Sequence, residues 1–164
     1  VIGIAASGRT PYVLGALDYA HSIGCKTAAV ACNLHSAIGQ AADIAIEVSV
    51  GPEVLTGSTR LKAGSAQKMI LNMITTGAMV RTGKAYQNLM VDVVQSNEKL
   101  RTRAENIVMA ATDVSCEQAR RTIDEANGKV KLAITMILTG KDAASAQALL
   151  DQSGGSVHNA LRNR

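Results

Sequence analysis

Two short segments hold residue types that bind anions. The first is Ser7, Gly8, Arg9, Thr10 and Pro11, which follow an apolar run at residues 1–6 (VIGIAA). Pro11 suits the first position of a helix, which makes Thr10 its N-cap. Ser7 and Gly8 then form a tight turn between strand and helix, and backbone N–H groups and the positive helix end point into the loop. That arrangement binds phosphate, and the same residues also serve plain helix capping. The loop is neither a Walker A motif nor GxGxxG, because Gly3 and Gly8 lack the third glycine and the spacing.

The second segment is residues 51–62 (GPEVLTGSTRLK). Ser58 or Thr59 can cap the helix that follows. Arg60 and Lys62 then fall in its first turn, where the macrodipole disfavours a cation by roughly 0.3–1 kcal/mol each. The opposite charge is tolerable if an anion sits nearby, or if both side chains reach out to solvent. Glu53 is either a ligand for sugar hydroxyls or a solvated loop carboxylate. Cys25, Cys32 and Cys116 are odd in number and show no metal-ligand spacing, and His21, His35 and His158 are isolated. Free thiols in a reducing compartment are expected, with no metal and no cofactor.

The elements that must position these residues fall into two regimes. Residues 1–6, 26–32 (KTAAVAC) and 43–48 (DIAIEV) read as strands, with helices over 11–23 and 36–42 between them. Apolar strands joined by helices imply a parallel sheet covered on both sides, hence an α/β fold. From Thr59 the pattern is helical. Over residues 59–82, Ala66, Met69, Ile70, Met73, Ile74, Gly77 and Ala78 recur at helical spacing and predict one buried stripe. Residues 83–94 have poor periodicity, and a helix follows over 96–111. Residues 112–164 read as a small helical unit. Ser115 and Gln118 form a capping box, Asn127 and Gly128 close that helix, and Gly140 ends the next. Asp142 caps another helix, which Gly154 and Gly155 stop.

The chain has 164 residues, 47% hydrophobic and 18% charged, with no Phe or Trp and three Tyr. Its core must therefore be aliphatic, and base-stacking platforms for nucleic acid are excluded. The net charge of +4 is scattered, with no basic run, and suits small anions rather than duplex DNA. No apolar stretch is long enough to span a bilayer. A parallel sheet of three strands is small, and the first residue already lies in a strand. The chain is thus expected to be the second part of a larger α/β domain.

The residues also carry a family resemblance. The SGRT loop, the segment GPEVLTGSTRLKAGSAQK and the segment NLMVDVVQSNEKL closely resemble the N-acetylmuramic acid 6-phosphate etherase family of SIS phosphosugar-binding domains, related to the glucokinase regulatory protein. The resemblance extends to the LDQSGGSVHNAL ending. It implies a partial SIS-type sheet over residues 1–111 and a small ubiquitin-associated-like helical unit over 112–164. It further implies a cytoplasmic carbon–oxygen lyase of peptidoglycan recycling that cleaves the lactyl ether of a sugar phosphate by elimination and then hydration. The family's acid and base glutamates precede the matched segment, so the catalytic residues of this chain are unknown. If they lie within it, Glu47, Glu53 and Asp92 are the places to search. Ser7, Gly8, Arg9 and Thr10 match the phosphate loop, and Glu53, Ser58 and Thr59 match the second signature. A homodimer is implied, formed through the helices after Thr59. The alternatives are a non-catalytic phosphosugar-binding or regulatory module, and an interaction protein built on the helical unit. In the latter, Ala119, Ile123, Ala126, Val130, Ala133, Ile134 and Ile137 read better as core than as a groove.

Overall fold

The computed structural model describes residues 1–162. It contains an α/β unit, Val1–Ile74, and a second unit from Thr75 onward that is almost entirely helical. The α/β unit runs β1 (Ile2–Ala5), α1 (Pro11–Ser22), β2 (Ala28–Ala31), α2 (Ala37–Ala41), β3 (Ile44–Glu47) and the first part of α3 (Lys62–Arg81). The three strands are parallel in the order β1-β2-β3, with Ile4 beside Val30 and Val30 beside Ile46. Strands and helices alternate because each β-branched or alanine run is too short for a helix and is ended by polar or glycine-containing turns.

Small residues on the strands let the first two helices approach closely. Ala5, Ala29 and Ala31 pack with Leu17 of α1 and Ile38 of α2, and Val13, Leu14 and Ala42 border that cluster. Thr27 and Asp43 bind the starts of β2 and β3 together. The Thr27 N–H and hydroxyl donate to Asp43 Oδ2 at 2.8 and 3.0 Å, and the Asp43 N–H donates to Thr27 Oγ1 at 3.0 Å. These bonds hold the Asp43 carboxyl below the usual aspartate range.

The second unit begins with the end of α3 and then forms a short hairpin, β4 (Ala85–Tyr86) and β5 (Leu89–Met90), in the stretch of poor periodicity. Its strands are two residues each, and the turn at Gln87 (φ 53°) uses no glycine, so the sequence carried no hairpin signal. Five helices follow: α4 (Glu98–Thr112), α5 (Cys116–Glu125), α6 (Val130–Thr139), α7 (Ala143–Gln152) and α8 (Val157–Arg162). The last of these was not expected from the pattern. Asn97, Ser115 and Asp142 each accept a main-chain N–H three residues on and so cap α4, α5 and α7.

The core of this unit is aliphatic. Ala119, Ile123, Ala126, Val130, Ala133 and Ile134 are buried together with Val91, Val93, Ala104, Ile107 and Val108, and Ile137 packs against them. The stripe is core. The hairpin and α4 share this cluster, and the two compact units divide between Ile74 and Thr75.

The expected buried stripe of α3 is a correction. Ile70 is buried and Ala66 and Ile74 half-buried, but Met69 and Met73 are 60% and 66% exposed, and Gly77 and Ala78 are exposed too. A helix is buried only on the side that has a neighbour, and this periodic apolar face extends beyond what the chain covers. Among the described residues, no helix is long and apolar enough to cross a membrane.

Candidate functional site

All three parallel strands end at the same edge of the sheet, and the two anion-binding segments lie in connections leaving that edge, with Pro11 and Lys62 opening the helices that follow. Ser7, Gly8, Arg9 and Thr10 link β1 to α1. Residues 32–36 link β2 to α2, and Glu53, Ser58 and Thr59 lie between β3 and α3. With a strand spacing of about 4.8 Å, the first and third strand ends are roughly 10 Å apart across β2. This is the edge at which open α/β sheets bind ligands.

The first two connections interlock. Gly8 has φ +70°, and a Cβ there would overlap the Cβ of Ser36. Only glycine combines that left-handed backbone with so close an approach. Ser36 caps α2 by accepting the Gly39 N–H at 3.0 Å. Glu47, the last residue of β3, accepts the His35 N–H at 2.7 Å and the Ser36 N–H at 2.8 Å. Gly39 leaves room for that carboxylate, since a Cβ there would overlap Glu47 Oε1. His35 itself is in the left-handed region (φ 53°), a conformation that Glu47 helps to hold.

The third connection is organised by Glu53. Its carboxylate accepts the Lys62 N–H at Oε2 and the Ala63 N–H at Oε1, each at 3.0 Å, and so caps α3 from nine and ten residues upstream. Glu53, rather than Ser58 or Thr59, therefore marks where α3 starts, and that start is Lys62 rather than residue 59. Glu53 also sets a negative charge beside Lys62. The Cys32 thiol donates to the Ala63 carbonyl at 3.6 Å and joins the start of α3 to the end of β2. Burial, followed by the negative charge of Glu53, raises the Cys32 thiol pKa, so this cysteine is a packed thiol and not a nucleophile.

The carboxylates considered for catalysis are thus engaged elsewhere. Glu47 is held below the usual range by the Ser36 side chain and the Ser36 and His35 amides. Glu53 is held low by the amides of Ala63 and Lys62 and by the Lys62 charge. Asp92, in the second unit, is held low by its 2.7 Å hydrogen bond from Lys84 and by Lys131 at 3.7 Å. Each is ionised and bound to donors, whereas a general acid or base works best near neutrality. Among the described residues, no group of three or more His, Cys, Asp and Glu is placed to hold a metal ion.

One helix start at this edge differs from the others. The α2 connection has Ser36 and Glu47, and α3 has Glu53. Helix α1, like α2 and α3, has no acidic residue in its first turn, and Thr10, although at the N-cap position, makes no side-chain cap hydrogen bond. Thr10 as a capping side chain is therefore corrected: only its backbone serves, accepting the Val13 and Leu14 N–H groups at 3.0 and 3.1 Å. Arg9 and Thr10 are exposed beside these amides, and Ser7 Oγ meets the Arg9 N–H at a long 3.5 Å. Arg9 and the hydroxyl-bearing Ser7 and Thr10 thus stand next to the start of α1, residue types whose chemistry suits an anion.

No family model matches the chain. Curated proteins do. The chain is 57% identical over 157 residues, 96% of its length, to an N-acetylmuramic acid 6-phosphate etherase of Photorhabdus laumondii, 52% of which is covered. It is 54% identical to the etherase of Pasteurella multocida over 98% of its length and 54% of that protein. The corresponding etherase of Vibrio campbellii is 56% identical over 99% of the chain and 53% of the relative. The chain therefore spans about half the length of the curated relatives it matches.

Proposed function

We propose that this chain, homologous to N-acetylmuramic acid 6-phosphate etherases along about half of their length, is the phosphosugar-holding part of such an enzyme. In this reading the complete protein is a cytoplasmic carbon–oxygen lyase of amino-sugar catabolism and peptidoglycan recycling. It releases D-lactate from N-acetylmuramic acid 6-phosphate, by elimination and then hydration, and leaves N-acetylglucosamine 6-phosphate. The observation that carries the reading is the α1 start, the helix terminus at the carboxyl edge to which, among the described residues, no carboxylate is bound.

The sheet is of SIS type, and the 6-phosphate sits at the amides after Ser7, with the Ser7 and Thr10 hydroxyls and Arg9 around it. Gly8 gives the turn its shape. Ser58 and Thr59 lie in the connection that Glu53 fastens to α3 and face the sugar. The lone pairs of Glu53 left over from Lys62 and Ala63 accept a sugar hydroxyl. The acid and base come from outside this chain, because Glu47, Glu53 and Asp92 are each bound to donors already. The exposed methionines of α3 supply a two-fold contact between copies, the commonest closed arrangement.

The engaged carboxylates also favour a second reading for the chain by itself, a phosphosugar-binding module that does not turn its ligand over. Both are tested by adding N-acetylmuramic acid 6-phosphate to the complete protein and to the 164-residue chain. D-lactate release by the complete protein and binding without release by the chain is the expected result. Binding without release by both supports the module, and failure of both to bind rejects the phosphate loop.

A further inference from the structure

Three successive carbonyls of the loop after β1 are held against the β2–α2 connection and the first turn of α2. The Ala6 carbonyl accepts the Cys32 N–H at 3.0 Å, and the Gly8 carbonyl accepts the Ile38 N–H at 3.0 Å. Between them the Ser7 carbonyl is reached, among the described residues, by a side chain: Asn33 Nδ2 donates to it at 3.3 Å and to the Ala6 carbonyl at 3.1 Å. Two carbonyls can be met only by the amino end of the carboxamide, so the orientation of Asn33 is fixed by its partners.

The consequence for an anion follows from peptide geometry. In a trans peptide the C=O and the following N–H point in opposite directions. Holding the Ala6 and Gly8 carbonyls on Cys32 and Ile38 therefore turns the Ser7 and Arg9 N–H groups away from those residues. The peptide between Ser7 and Gly8 lies in the middle of this run. Its N–H is used within the turn, donating to the Ala5 carbonyl at 3.0 Å. If it rotated, it would present carbonyl lone pairs where a phosphate oxygen has to lie. Asn33 is exposed, and none of the buried apolar cluster of this unit depends on it.

We infer that Asn33 is a positioning residue for phosphate: its carboxamide keeps the Ser7 carbonyl turned out of the anion site at the start of α1. This rests on the phosphate-loop reading above, and the test separates the two. Inorganic phosphate is titrated into the 15N-labelled chain, and the Ser7 and Arg9 amide resonances are followed. The unaltered chain is expected to show saturable shifts at both. Asn33→Ala, and Asn33→Leu with a side chain of similar shape, raise the midpoint at least about tenfold, the factor corresponding to 1.4 kcal/mol. The resonances of Leu17 and Ile38 stay in place in these variants. Gln40→Ala, which removes a 3.3 Å bond to the His35 carbonyl in the same connection, leaves the midpoint unchanged. An unaltered midpoint in either folded Asn33 variant, or an equal rise in Gln40→Ala, overturns the role of Asn33 alone. Absence of shifts in the unaltered chain overturns the phosphate loop and this inference with it.

Discussion

Glu53 Oε1 accepts the main-chain N–H of Ala63 at 3.0 Å, ten residues further along the chain. With the matching bond from Lys62 to Oε2, it closes the connection between β3 and α3 into a fixed loop and gives the helix an internal anion. Glu53→Ala is therefore expected to lower the melting temperature and raise amide exchange at Lys62 and Ala63 specifically. Glu53→Gln retains one acceptor and should fall between the two. Equal exchange at Lys62 and Ala63 in the wild type and Glu53→Ala would falsify the capping role.

Acid should loosen the same edge of the sheet. Glu47 and Glu53 both have pKa values lowered by donors present in the folded chain. A lowered folded value means that the contribution is complete above the unfolded glutamate pKa, about 4.3, and is lost as pH falls through the lower folded value. Melting temperatures measured from pH 7 down to pH 3 should decline below about pH 4.3, the ordinary glutamate value. The decline should be shallower in the Glu47→Gln, Glu53→Gln double variant, and identical slopes would contradict the assignment.

Thr10 and Ser7 separate capping from ligand binding. An engaged N-cap loses about 1 kcal/mol of stability on truncation to alanine. Because Thr10 makes no side-chain cap bond, Thr10→Ala is expected to change stability by less than about 0.5 kcal/mol, the usual range for surface substitutions. Ser7→Ala should weaken phosphosugar binding by about 0.5–1.5 kcal/mol, the net worth of one neutral hydrogen bond. Calorimetric titration with N-acetylglucosamine 6-phosphate reads this directly, and an unchanged affinity counts against Ser7 as a ligand.

Asp92 offers a check on where the chemistry resides. It is paired with Lys84 and Lys131, so Asp92→Asn in the complete protein should change kcat by less than about tenfold. Loss of a general acid or base would lower it about 10²–10⁴-fold. A fall of that size would return Asp92 to the list of catalytic groups.

Self-association through α3 should respond to a single charge. Met69 and Met73 lie four residues apart on one exposed helical face, and Met73→Glu places a carboxylate in it. Sedimentation at micromolar concentration is expected to show a dimer for the unaltered chain and a monomer for the variant. A strictly monomeric unaltered chain would remove the dimer from the proposal.

The residues by themselves determined which local structures form. The short β-branched and alanine runs, Pro11, the Ser115 and Asp142 caps, and the stripe from Ala119 to Ile134 each encode an element through neighbours within a turn or two. The family signature also lies in contiguous residues, and it was readable for that reason. What the carboxylates do was decided only in three dimensions. Glu53 reads as a loop residue and Glu47 as a strand residue, yet each spends its charge on amides nine to twelve residues away. The same is true of Asn33, whose partners Ala6 and Ser7 lie 27 and 26 residues earlier. No local pattern encodes such pairs, because they exist only once parallel strands bring their carboxyl ends to one edge. The exposure of Met69 and Met73 has a related origin. Periodicity marks a face as apolar, but burial depends on whether another surface is there to cover it.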